Sequence, residues 1–217
     1  MLTVFKNEPK QNVFAPEWNY FIYESNIKDL NFKLIKNLIL KKEKDILKKT
    51  KPSNKKSVDG FTKLGKNSLT SRYESFNVLK WKNKEIIKLE KNILKEYKNF
   101  LNELNLKMPE KLYIQCWANV LRKNEQIKPH IHNITNNSYL SGHICISTQN
   151  TSTFYINPVN QINYPDTYKS KNKEGKFTLF QSYIPHYTSK FKEKGERITI
   201  AFDLSLNQFL NNSKQII

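Results

Sequence analysis

Arginine is almost missing from this chain: Arg72, Arg122 and Arg197 stand against thirty-four lysines. The formal charge of +18 would suit an acidic partner or nucleic acid. A surface built to read phosphates would hold more of the forked guanidinium, which grips phosphate through two parallel hydrogen bonds. Lysine, asparagine and isoleucine are abundant together, as A/T-rich coding would produce, so the charge is discounted and nucleic acid is not expected as a partner. Cysteine is down to two, Cys116 and Cys145, both inside strand-like runs and without ligand spacing. They are expected as buried reduced thiols, which excludes a disulfide scaffold. No run approaches the roughly 18 apolar residues of a membrane span, and MLTVFKNEPKQ holds no apolar stretch of signal-peptide length. The expectation is a soluble protein of a reducing, cytoplasmic compartment.

Enough apolar material is present for one sizeable core. Hydrophobic residues make up 38% and aromatics 12% of 217 residues, which argues against disorder and for a single domain, 1–217. VFAPEWNYFIY predicts an edge strand in residues 1–25, with Pro16 breaking its pairing. Leu30, Leu34, Ile35, Leu38 and Ile39 recur at three- and four-residue spacing and predict a helix over 26–49. Residues 50–75, with Pro52, Gly60 and Gly65, read as a long connection. A second helix is expected over 84–106, capped by Asn83, with Ile86, Leu89, Ile93, Tyr97, Phe100, Leu101 and Leu104 as its apolar stripe. After Pro109 the period changes to two, and strands are expected at 112–120, 139–148, 153–157, 176–184 and 197–204. The polar stretch 157–175 reads as a loop whose length suits a lid, a binding loop or simple disorder. Helices first and short antiparallel strands afterwards imply an α+β protein: a helical support region, 1–108, on the outside of one sheet, and a β-sandwich or barrel core, 109–206.

All four histidines, His130, His132, His143 and His186, come after residue 129. On a strand, residues two apart share a face, so His130 and His132 in KPHIHNITNNSYLSG present two imidazoles together. His186 is the candidate third ligand. Imidazole suits Fe(II), zinc, copper and nickel alike, so ligand type does not choose the metal. A lone strand histidine is more often a hydrogen-bonded core residue, and His143 is read that way. Eleven residues beyond His186 lies Arg197, which shares a strand face with Thr199, Ala201 and Asp203. A buried guanidinium needs a partner. It is either an incoming carboxylate, with Thr199 adding a hydroxyl, or an ordinary salt bridge to Asp203, Glu193 or Glu196, unless Arg197 lies at the surface and needs none.

These residues resemble a known family. WANVLRKNEQIKPHIHNITNNSYLSGHICIS and EGKFTLFQSYIPHYTSKFKEKGERITIAFDL look like the Fe(II)/2-oxoglutarate-dependent oxygenases, in particular those common in marine bacteria and their phages. Trp117, Asn119, His130, His132, Ser141, Gly142, Gly175, Phe180, Ser182, His186 and Arg197 match in order. GFTKLGKNSLTSRYESFNVLKW is similar to the region before the family's helix, so the resemblance spans about 60–204. It implies a double-stranded β-helix (jelly-roll) with iron at one open end, held by His130 and His186. Position 132 usually carries Asp or Glu, whereas this chain has His132, which either coordinates or stands behind the ion with water in that place. The resemblance also implies Arg197 and Thr199 on the distal carboxylate of 2-oxoglutarate, with Asn119 and Ser141 as further residues of the cosubstrate pocket. Cys145 stands where relatives often have a tyrosine that touches the cosubstrate.

The activity implied is hydroxylation of a peptide side chain or small metabolite by O2, with 2-oxoglutarate converted to succinate and CO2 and ascorbate as a candidate reductant. The compartment would be the host cytoplasm if the gene belongs to a phage. The competing reading is a non-catalytic jelly-roll whose basic surface binds an acidic partner. A barrel metal hydrolase would need many alternating βα units, which this strand-rich half does not supply.

Overall fold

The computed structural model describes residues 1–7, 11–53, 62, 64–132, 139–159 and 166–217. Its strands are β1 (Leu2–Lys6), β2 (Asn19–Asn26), β3 (Tyr113–Leu121), β4 (Leu140–Ser147), β5 (Ser152–Ile156), β6 (Thr167–Lys171), β7 (Lys176–Gln181), β8 (His186–Thr188), β9 (Arg197–Ser205) and β10 (Lys214–Gln215). Among the described residues, the long α-helices before β3 are α1 (Phe32–Lys49) and α2 (Lys84–Glu103). Seven strands form one antiparallel sheet in the order β1-β2-β7-β4-β9-β3-β10, and three form a second, β6-β5-β8. This is the α+β jelly-roll that the sequence suggests. The path differs at its edges, because β1, β2 and β10 complete the large sheet from outside 109–206.

Strict alternation on the central strands gives the large sheet two unlike faces. Ile198, Ile200, Phe202 and Leu204 of β9, with Ile114, Cys116, Ala118 and Val120 of β3, join one apolar cluster with Ile35 and Ile39 of α1 and Leu89, Ile93 and Phe100 of α2. Each Val, Ile, Leu or Phe among them stabilises the fold by about 1.5–3 kcal/mol when fully buried, so the sheet–helix layer holds most of the core. The cluster between the two sheets is small: Phe5, Ile22, Tyr155, Phe180 and Ile184. That side of the sheet is therefore free to carry polar groups.

Gly142 lets the layers close. A Cβ there would lie 2.4 Å from Phe202 Cζ and 2.6 Å from the Thr178 carbonyl oxygen. The first helix starts at Phe32, six residues later than its periodicity implies, because β2 continues to Asn26 in register with Lys176. Asn31 caps it by accepting from the Leu34 amide at 3.0 Å, and Glu85 of α2 accepts from the Asn31 amide at 2.9 Å. Asn83 caps α2 as expected, through the Glu85 amide. That helix stops at Glu103, and Asn105 then turns with φ 54. The stretch 157–175 is not all loop: β6 lies within it and pairs with β5, while 160–165 fall outside the described residues. Residues 60, 61 and 63 of the similarity before the helix, and 133–138 after the histidine pair, also fall outside them.

Candidate metal centre

The segment carrying His130 and His132 is not a regular strand. His130 forms an isolated antiparallel bridge with His186, the first residue of β8, and the two exchange backbone hydrogen bonds of 3.1 and 3.0 Å. The His132 amide donates to the Ser182 carbonyl at 3.0 Å. These bonds bring three imidazoles to one end of the space between the sheets. Ring centroids are 4.3 Å apart for His130 and His186, 5.0 Å for His132 and His186, and 5.4 Å for His130 and His132. One nitrogen from each ring lies within 4.8 Å of the others, and no other such group occurs among the described residues.

Each ring has its Nδ1 engaged. That of His130 lies 2.8 Å from the Lys128 carbonyl, that of His186 3.0 Å from the Ile184 carbonyl, and that of His132 2.5 Å from Asp203 Oδ1. A ring that donates from Nδ1 keeps the Nε2 lone pair for a metal. Burial, reinforced by the neighbouring rings, lowers the His186 pKa well below its ordinary value and that of His130 to about 4. Both are therefore neutral at pH 7, the form that coordinates. Phe180 stands edge-on to His186 and Trp117 lies 5.7 Å from His132, giving the cluster an apolar surround.

Deeper between the sheets the polar groups are unusual. Arg72 is satisfied by the Thr50 carbonyl at 3.2 Å and the Ser71 hydroxyl at 2.6 Å, and Arg122 grips Glu43 at 2.7 and 3.1 Å. Arg197 is 1% exposed, and its Nε and Nη1 have no partner among the described residues. Of its candidate acids, Asp203 faces His132 and Glu196 pairs with Lys36 at 3.1 Å. Burial lowers the guanidinium pKa from its usual value. Other buried polar atoms also lack a hydrogen-bond partner among the described residues, His143 Nε2 among them, while the buried Tyr155 and Thr178 hydroxyls neighbour each other. In register, His143 stands opposite both Thr178 and Ala201, while Thr199 stands opposite Asn119 and Cys145. These residues therefore line the same face of the sheet as Arg197, and the small Ala201 lies between Asp203 and Thr199 along β9.

Among the residues singled out from sequence, Asn119 Oδ1 accepts from the Thr70 hydroxyl at 2.6 Å. Ser141 Oγ lies 2.6 Å from Asp203 Oδ1 and 2.9 Å from Ser182 Oγ. Burial pushes the Cys145 thiol up to about 11. Sequence reasoning missed Tyr155 and Thr178, and it weighed Asp203 only as a partner for Arg197. Alternation along β9 puts Asp203 on the functional face but does not say which side chain it meets.

Residues 115–203 match the family described as "Putative 2OG-Fe(II) oxygenase". No curated protein sequence matches the chain. Among solved structures, an oxidoreductase of the 2OG-Fe(II) oxygenase family from Burkholderia pseudomallei is similar at 17% identity and a TM-score of 0.43. That match covers 54% of this chain and 55% of that one, so the chain spans little over half of that relative's length. A prolyl-4-hydroxylase of Pseudomonas putida is 8% identical with a TM-score of 0.54, over 86% of this chain and 93% of that one. The viral collagen prolyl hydroxylase of Paramecium bursaria Chlorella virus-1, solved with 2OG, is 11% identical with a TM-score of 0.50, over 86% and 96%. At these identities the structural likeness concerns the fold.

Proposed function

We propose that this chain is a 2-oxoglutarate/Fe(II)-dependent oxygenase, a reading supported by the family match over residues 115–203, and that it hydroxylates a peptide side chain or small metabolite with release of succinate and CO2. The observation that carries the reading is Arg197. A fully buried cation with two unpartnered nitrogens is costly by itself, and a carboxylate delivered by a ligand relieves that cost through charge-assisted hydrogen bonds. A diacid whose other end reaches the histidine cluster fits the order of parts along β9.

In this reading His130, His132 and His186 hold Fe(II) through Nε2, and Arg197 with Thr199 holds the distal carboxylate of 2-oxoglutarate. His143, Tyr155 and Thr178 offer further hydrogen bonds along the cosubstrate's path, and Asn119 and Ser141 support the wall. The bound metal and cosubstrate together supply the activation of O2 for C–H hydroxylation, which no protein side chain can perform. The chain's own contribution is placement and dryness. The neutral His130 and His186 rings need no deprotonation before coordinating, the guanidinium fixes one end of the cosubstrate, and Phe180 and Trp117 keep water from the ligand rings. Nε2 of His143 is left free to orient the diacid by hydrogen bonding, its ring kept neutral by burial and by the Arg197 charge, with a pKa near 3.

The test is succinate production from 2-oxoglutarate under O2, with and without Fe(II), in wild type and His186→Ala. Iron-dependent succinate in wild type, abolished in the variant, is the expected result. Iron retention without any succinate, even with peptide and metabolite pools added, would leave only a metal-binding jelly-roll.

A further inference from the structure

The three-histidine cluster lacks a negative charge. A carboxylate in the second position of the His-x-His pair would bring one to the ion, and His132 does not. The three rings are not supported alike, however. His130 and His186 both donate Nδ1–H to the carbonyl two residues earlier, a neutral and local contact. His132 instead donates to a carboxylate seventy-one residues away in sequence, at 2.5 Å. Its side chain is 8% exposed and that of Asp203 is 18% exposed, so water screens the pair little.

We infer that Asp203 is a positioning residue for the metal centre, acting through His132 to supply the charge that a directly bound carboxylate would have brought. The inference rests on the three-histidine reading above. A carboxylate accepting from Nδ1–H holds the ring in the tautomer with Nε2 free, fixes its orientation and makes that nitrogen a stronger donor to a cation. The pair then reaches the ion as a unit of net charge −1. Asp203 is well placed to do this because it sits on a central strand. It stands in register with Ser141 on β4 and Gln115 on β3, and Ser141 Oγ lies 2.6 Å from the oxygen that meets His132. The backbone bond from the His132 amide to Ser182 fixes the other side of the ring's segment. The contact is thus built into the sheet.

The experiment is anaerobic calorimetric titration of metal-free protein with Fe(II) and with Co(II), comparing wild type, His186→Ala, Asp203→Asn and Asp203→Glu. The absorption spectrum of each Co(II) form is recorded alongside. Wild-type binding that His186→Ala removes establishes the centre, and its absence in wild type would sink the three-histidine reading itself. Asp203→Asn keeps an acceptor but loses the charge. It should bind either metal about 10- to 100-fold more weakly and shift the Co(II) bands, and Asp203→Glu should recover part of the loss. Equal affinity and an unchanged Co(II) spectrum in a folded Asp203→Asn protein would overturn the inference and leave the centre standing. Proton NMR of the zinc-loaded wild type needs no variant at all. The His132 Nδ1–H resonance should lie clearly downfield of those of His130 and His186, and three equivalent shifts would count against the assignment.

Discussion

Replacing Arg197 by methionine should make the protein more stable and worse at its task. The guanidinium is 1% exposed with two unpartnered nitrogens, so in the ligand-free protein its charge is desolvated without full compensation. Exchanging a buried charge for an apolar side chain of similar length is neutral or stabilising, by up to about 4 kcal/mol. For a chain of this size each kcal/mol is worth roughly 2–4 °C in Tm. In the role proposed for Arg197, the same substitution strips the 2-oxoglutarate carboxylate of its partner, which costs about 3–5 kcal/mol. That is a loss of roughly two to three and a half orders of magnitude in 2-oxoglutarate affinity. The assay is thermal unfolding with and without 2-oxoglutarate, beside direct titration of the ligand. Wild type should gain about 2.7 kcal/mol at a hundredfold excess over Kd, while the methionine variant should start no lower and gain at most about 0.4 kcal/mol at the same ligand concentration. A ligand-free variant clearly less stable than wild type would mean that the guanidinium already has its partner. Unchanged affinity would mean that the carboxylate lies elsewhere.

Acid should unfold the metal-free protein early. His143 has a folded pKa near 3 against an ordinary 6.5, so the folded state binds fewer protons between those values. Its stabilising share is whole above pH 6.5 and falls by about 1.4 kcal/mol per unit below, or roughly 2 kcal/mol by pH 5. Urea midpoints from pH 8 to pH 5 should fall more steeply than this single share, because His130 and His186 are depressed in the same direction, and a His143→Gln variant should show a shallower fall. Glu24 on β2 joins the two sheets. It accepts from Tyr168 at 2.8 Å and Ser170 at 2.5 Å, both on β6, and pairs with Lys176 at 2.8 Å. Glu24→Ala should cost about 3–5 kcal/mol and speed proteolysis near β6; wild-type unfolding would refute this account. Gly142→Ala drives a methyl into Phe202 and the Thr178 carbonyl, so denaturant unfolding should show a loss of at least 1–3 kcal/mol. An unaffected Cm would show that the sheet yields there.

Local pattern determined much of this protein. The 3.6-residue stripe of α2, its Asn83 cap and the two-residue alternation of β3 and β9 follow from which side chains must avoid water, and they hold whatever lies nearby. The same alternation put Arg197, Thr199 and Asp203 on one face, and the His-x-His spacing and the order His186 then Arg197 could be read directly. What could not be read depends on partners far away in sequence. Whether β2 is an edge or an inner strand depends on β1 and β7, and β6 is a strand beside β5 whose Tyr168 and Ser170 meet Glu24 across the sheets. Tyr155 enters the site only because β5 lies beside β8. Asp203 could have neutralised Arg197. The tertiary structure turned it to His132 instead, leaving the guanidinium unpartnered. Periodicity decides which way a side chain points; only the pairing of distant strands decides what it meets there.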